Sequence, residues 1–284
     1  MITTLVSGVV LGALYALMAS GLSLIWTTLG VFNFAHGALM MIGAFVAWTV
    51  SEGLGLGLWA GLVAGVSCAA LLGIAIEYLL VRPFYGRANM LLITVMTTLA
   101  AMIILEKSAQ MIWGARLKQL PRLVEGDVSI FGAVVSAHEA LIVLIAPLIL
   151  IALWAFATKT SIGRSLRAVG QNQDAAALLG INVPLTFALA FGLGAALAGL
   201  TGVLLGGIRF ITPSLGVEPL VKAMIVVIFG GLGSLGATVG AAFVIGLAEA
   251  FLVLALGLYW TPFVLFLSLI IVLIFRPNGL FGRA

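Results

Sequence analysis

The sequence predicts an all-α integral membrane protein, a polytopic bundle of about eight or nine transmembrane helices. Two observations carry that prediction. Met1 to Ser51 contain no Asp, Glu, Lys or Arg, a surface that no water-soluble domain can present. Further charge-free runs cover 53–76, 88–105, 140–158, 175–208, 223–248 and 250–275, each near or above the roughly 20 apolar residues that span a bilayer core. Only 8% of residues are charged and 63% are hydrophobic, with a mean hydropathy of +1.31, against about 25% charged in ordinary globular domains. The runs are continuous rather than alternating, which excludes a membrane β-barrel.

Taken in order, the runs place helix one at about 3–26 and helix two at 33–50, with a break between Thr27 and Asn33. Helix three follows at 57–81 and helix four at 89–106. A segment of about thirty residues, 107–139, leads to helix five at 140–158. A polar stretch, 159–183, precedes helix six at 184–208, and a turn around Thr212 to Pro219 precedes helix seven, from about 220. A glycine-rich break at 230–236 separates helix seven from helix eight (238–256), and helix nine covers 258–275. One membrane domain, 1–284, accounts for the chain. The N-terminus lacks a basic n-region, so helix one is expected to be a retained span and not a cleaved signal.

The net charge of +4 is no nucleic-acid signature, because the basic residues sit in short loops and report orientation instead. Arg82 and Arg87, then Lys159, Arg164 and Arg167, then Arg276 and Arg283 mark three basic segments. The segment between helices four and five mixes Lys107, Arg116, Lys118 and Arg122 with Glu106, Glu125, Asp127 and Glu139. The positive-inside rule puts the basic segments in the cytoplasm and the mixed one outside. The N-terminus is then outside and the C-terminus inside, by nine crossings or by eight and a re-entrant segment. Cys68, the single cysteine, lies in a span and reads as packing. Glycines spaced by four (Gly8/Gly12, Gly57/Gly61/Gly65, Gly202/Gly206) let helix backbones approach within one bundle, with dimerisation as the alternative.

Three stretches interrupt the lipid-compatible background. Between helices one and two, Gly30 to Gly37 hold Asn33, a good N-cap, and His36 in nearly charge-free surroundings. A helix starting there points free N–H groups inward, as the broken helices of small-molecule transporters do; a polar clamp bracing the bundle looks the same in sequence. The second stretch, Lys159 to Pro184, reads as a helix of docking size ending at Gly180. On it Leu166, Val169, Ala177 and Leu178 share an apolar side, and Arg164, Arg167, Gln171 and Asp174 face water or a partner. An interfacial helix with its arginines at headgroups is the alternative. The third, Phe229 to Gly236, lacks the Lys-Ser/Thr of a phosphate-binding loop and reads as a hairpin or half-helix break.

Nucleophile elbows, zinc-protease motifs and paired carboxylates within a span are missing from the sequence. Glu77 and Glu249 read as span-end carboxylates that snorkel or pair. A proton-driven carrier needs mid-membrane ionisable groups, and the sequence offers little beyond His36. The energy source is therefore expected outside the polypeptide. An ATP-independent channel or secondary carrier, a membrane enzyme using His36, and a purely structural subunit are the rivals.

The runs GLSLIWTTLGVFNFAHGALMMIGAF (21–45) and SIGRSLRAVGQNQDAAALLGINV (161–183) resemble the LivH-type permeases of bacterial branched-chain amino acid ABC importers. So do the later GG-x-GS-x-x-G and the RP-x-GLFG ending at 276–282. The resemblance covers essentially the whole chain. It implies a permease in the bacterial inner membrane, working by alternating access with a second related permease, two cytoplasmic ATP-binding subunits and an extracytoplasmic solute-binding protein. ATP and Mg would be used by those partners, with no cofactor or metal on this chain and no enzymatic activity of its own. Gly163, Arg164, Arg167, Ala168, Gln171, Asn172, Ala176 and Gly180 match the family's ATPase-coupling loop; Asn33, His36 and Gly37 match its early polar motif, the candidate substrate pathway. Many relatives carry an acidic residue where this chain has Ala38. Permeases for urea, amides and other amino acids share the scaffold, which leaves the small polar substrate open.

Overall fold

A computed structural model describes residues 1–87, 89–130 and 133–281; Gly282 and Arg283 of the tail lie outside them. Helix α1 (Ile2–Leu29) carries no charge and ends at Gly30, whose left-handed backbone (φ 73°, ψ 21°) returns its N–H to the Trp26 carbonyl. Helix α2 (His36–Trp48) begins three residues later than Asn33 and continues into a π-helical turn, Thr49–Gly53. Helix α3 (Leu58–Ile76) runs through a second π turn, Glu77–Val81, and a 3₁₀ turn holding Pro83. After α4 (Met90–Trp113) the mixed-charge segment forms a small hairpin, β1 (Asp127–Ile130) antiparallel to β2 (Ala133–Ser136), an addition to the expected all-helical chain.

Helix α5 (Ala137–Lys159) opens with the Glu139 carboxylate accepting from the Ser136 N–H. The polar stretch is two helices and not one, α6 (Ser161–Gln171) and α7 (Gln173–Leu178). The long α8 (Val183–Gly206), with Pro184 in its first turn, leads through 207–216 to α9 (Val217–Gly230), α10 (Leu235–Leu256) and α11 (Thr261–Phe275). Among the described residues, six helices are long and apolar enough to cross a membrane; α2, α9 and α11 are shorter, with 13, 14 and 15 residues.

Helices α1 and α8 form the buried centre, and α4 and α5 lie outermost. Glycine makes the central crossings possible, because helices in lipid associate through close packing. A Cβ at Gly43 on α2 would stand 2.6 Å from the Gly199 Cα on α8, and one at Gly21 on α1 2.7 Å from the Gly194 carbonyl oxygen. The glycine stripes of the sequence thus act inside the bundle, except Gly57, which begins α3 at φ 83° with open space around it.

The two ends of the bundle differ. One buried cluster joins Leu29, Val81, Leu166 and Val169, at the end bearing Arg82 and Lys159. At the opposite end Phe45, Leu120 and Ile211 pack together beside Trp48 and Trp113, and Lys118 stands over the Trp48 ring. The sorting of basic from mixed charge along the sequence is therefore also a sorting in space.

Candidate functional site

The turn at Gly30 sends the chain back along α1. His36 Nε2 lies 3.1 Å from the Met18 carbonyl oxygen, and a carbonyl only accepts, so Nε2 carries the proton in this pairing. Met18 is eleven residues before the end of α1, about 16 Å along the helix axis. Residues 30–35 therefore climb back into the bundle before α2 starts. Asn33 does not cap α2, since its Oδ1 accepts from the Ala35 N–H at 3.0 Å and the cap position is Ala35. The Phe34 N–H reaches Thr98 Oγ1 on α4 at 3.3 Å. Asn33 and His36 are fully buried, and Asn33 Nδ2 and His36 Nδ1 have no partner among the described residues. Gly37 meets Gly216, the residue before α9, so closely that a Cβ on either would strike the other's backbone. Two half-length helices thus start side by side at one junction inside the bundle. Asn33, His36 and Gly37 converge there.

At the basic end, Thr160 caps α6 by accepting from the Gly163 N–H at 3.0 Å. Leu166 and Val169 are buried, as their spacing predicts, and Gly163 rests on the Phe156 and Ala157 carbonyls of α5. Gly170 rests on Thr27 in the last turn of α1. Arg164 and Arg167 stay exposed while donating to the Lys159 and Thr158 carbonyls, at 3.3 and 3.4 Å. Cations there also complement the negative end of the α5 dipole. Asn172 breaks the segment, ending α6 and capping α7 through Ala175 N–H to Oδ1 at 2.9 Å. Ala168 is half-buried and Ala176 buried, while Gln171 and Asp174 are exposed; Gly180 turns the chain at φ 82°. A cleft of about 940 Å³ opens between the ends of α1 and α5, α6, and Gly233–Gly236.

Two features escaped the sequence reading. Ala177 and Leu178 do not share the buried side: Leu178 and Leu179 are 89% and 81% exposed at the tip of α7. Glu249 pairs, one of the two roles its sequence position suggests, but it does so buried within α10 rather than at a span end, and its partner, Lys222 of α9, is the part sequence reasoning missed. Lys222 served only to bound a charge-free run, although Glu218 four residues earlier marks one face of α9.

A family model described as "Branched-chain amino acid transport system / permease component" matches residues 4–273. The high-affinity branched-chain amino acid transport system permease protein BraD of Pseudomonas aeruginosa is 34% identical, over 98% of this chain and 95% of its own. The corresponding LivH protein of Escherichia coli K12 is also 34% identical, over 98% of this chain and 94% of its own. Among solved structures, a chain of PsaBC from Streptococcus pneumoniae, determined in complex with Fab, aligns with a TM-score of 0.50 at 14% identity. That alignment covers 97% of this chain and 91% of that one, and the likeness is of fold alone.

Proposed function

From the premise that this chain belongs to the branched-chain amino acid transport system permease family, we propose that it is the membrane gate of an ABC importer for branched-chain or related amino acids. It is a transport subunit and not an enzyme; separate cytoplasmic ATPases bind ATP and Mg. A second related permease completes the gate in the inner membrane, and an extracytoplasmic solute-binding protein delivers the substrate. The whole chain is one permease domain, with 159–183 as its coupling segment and 107–139 as its outer loop.

The basic end, where Arg82, Lys159, Arg164 and Arg167 gather, is cytoplasmic. The N-terminus is then outside and the C-terminus inside, with nine traverses of which α2 and α9 are completed by non-helical backbone. In the alternating-access cycle, closure of the ATPases pushes α6. Asn33, His36 and Gly37 form the closed constriction at the α2–α9 junction, and substrate passes as those half-helices part.

The observation that best supports this reading is α6 itself: it lies on the ends of both α1 and α5 and turns its charged face to solvent. Force applied to that face would reach the central helix directly. The test is reconstitution in proteoliposomes with the partner permease, both ATPases and the binding protein, measuring labelled leucine, isoleucine and valine uptake. Uptake should require ATP and every subunit. Uptake by this chain alone would overturn the proposal in favour of a channel or carrier.

A further inference from the structure

Beside the α2–α9 junction and away from the coupling segment, five polar groups form a chain that runs from the loop after α8 to the middle of α1. Arg209, in the loop after α8, lies 3.4 Å from Glu218 in the first turn of α9. Glu218 pairs at 2.5 Å with Lys222 on the same helix, and Lys222 pairs at 2.5 Å with Glu249 on α10. Glu249 also accepts from the Tyr15 hydroxyl of α1 at 2.8 Å. The exposed members are Arg209 and Glu218; Lys222 and Glu249 are only 7% and 3% exposed. Charges placed so deep in apolar helices are costly and ask for an explanation.

The network divides along one seam. Arg209, Glu218 and Lys222 belong to α9 and the loop feeding it. Tyr15 and Glu249 belong to α1 and α10, which are locked by Gly12 against Gly246, where neither position has room for a Cβ. Within the network, among the described residues, only the Lys222–Glu249 pair and the flank of Lys222 against the Tyr15 ring, 5.6 Å from its centroid, cross that seam; the remaining contacts of α9 with α1 and α10 are apolar. If α9 withdraws, Lys222 keeps Glu218, and Glu249 keeps Tyr15. No ionised group loses every partner. The half-helix also has the means to move: Gly216 precedes it, and Gly231 and Gly233 follow at φ 105° and 106°. A small cavity of about 20 Å³, enough for roughly one water, already lies along the seam between Leu11, Met18, Thr201, Pro219 and Lys222.

We propose that Lys222 and Glu249 are a latch that opens and closes in each transport cycle, releasing α9 from the α1–α10 pair. This rests on the transport reading above, and Lys222 acts as a positioning residue, setting where α9 stands rather than touching substrate.

The test uses the assembled complex with Cys68→Ser as parent. Lys222→Cys and Glu249→Cys are joined by a short, reducible bis-methanethiosulfonate. The Lys222→Cys and Glu249→Cys single variants, treated with the same reagent, are the controls for modification without a cross-link. Cross-linking across the seam should reduce ATP-driven uptake at least tenfold relative to the same double variant after reduction, and reagent treatment of the single variants should bring no such reduction-sensitive loss. Full uptake with the seam locked overturns the latch, and so does failure of the assembled pair to cross-link. If the cysteine pair does not assemble, Lys222→Met with Glu249→Gln is read instead: ATP hydrolysis without binding protein should rise severalfold, and an unchanged rate overturns the proposal. A parent that imports no branched-chain amino acid sinks the substrate reading alone, and the latch is then judged on ATP turnover before and after reduction.

Discussion

Gly170 of α6 sits against the Thr27 carbonyl in the last turn of α1, with no room for even a methyl group between them. The contact joins the proposed coupling segment to one of the two central helices of the bundle. Because the obstacle is backbone on both sides, neither partner can rotate away.

Gly170→Val should therefore lift α6 from α1. Overpacking of this kind costs about 1–3 kcal/mol, and since the obstacle is backbone, the relief open to the chain is a shift of the C-terminal end of α6 away from α1. The expected outcome is normal insertion with ATP-driven uptake down at least tenfold. Gly236→Ala, at a position with nothing within 4 Å of the added carbon, serves as the silent comparison. Equal uptake in the two variants would remove the α6–α1 contact from the mechanism.

Arg164→Gln with Arg167→Gln should separate coupling from stability. Both guanidinium groups are exposed and donate to the final carbonyls of α5, contacts worth less than about 1 kcal/mol each at a surface. The thermal midpoint in detergent should barely move, while uptake per ATP hydrolysed falls severalfold. Unchanged coupling in the double variant would leave the arginines as capping groups only.

Gly37→Ala and Gly216→Ala test the junction of the two half-helices. Each methyl group would land on the other residue's backbone, which cannot yield as a flexible side chain does. Each variant should lose about 1–3 kcal/mol of stability, read as a lower unfolding midpoint. Gly57→Ala, at φ 83° in open space, tests the separate effect of backbone strain; its loss should be near 1 kcal/mol.

These contacts also mark where sequence reading ends. The apolar helices were legible because lipid demands continuous hydrophobic runs, and α6 because Leu166 and Val169 recur on one side while Arg164 and Arg167 stay clear of it. The second half of the segment misled: Asn172 prefers to cap a new helix, so the phase restarts there and Leu178 points outward. Asn33 reads in sequence as the cap of helix two, but its side chain satisfies Ala35 inside the turn and α2 starts three residues later. The π turns at 49–53 and 77–81 rest on backbone bonds without a residue pattern. The Lys222–Glu249 pair depends on how α9 meets α10, which no local spacing encodes.

Leu178 and Leu179 provide the sharpest separation of fold from assembly. At 89% and 81% exposure they bury almost nothing within the chain, so Leu178→Ser with Leu179→Ser should leave the unfolding midpoint of the isolated subunit in place. Under the proposed docking of ATPases at the α6 end, they would be anchors in an ATPase groove. Burying two leucines at an interface is worth about 1.5–3 kcal/mol apiece, so losing both should weaken docking by at least tenfold. Copurification of the ATPases through a tag on the permease measures this directly. If the doubly substituted permease retains its ATPases at unchanged affinity, the motor docks elsewhere, and the exposed pair belongs to the lipid surface instead.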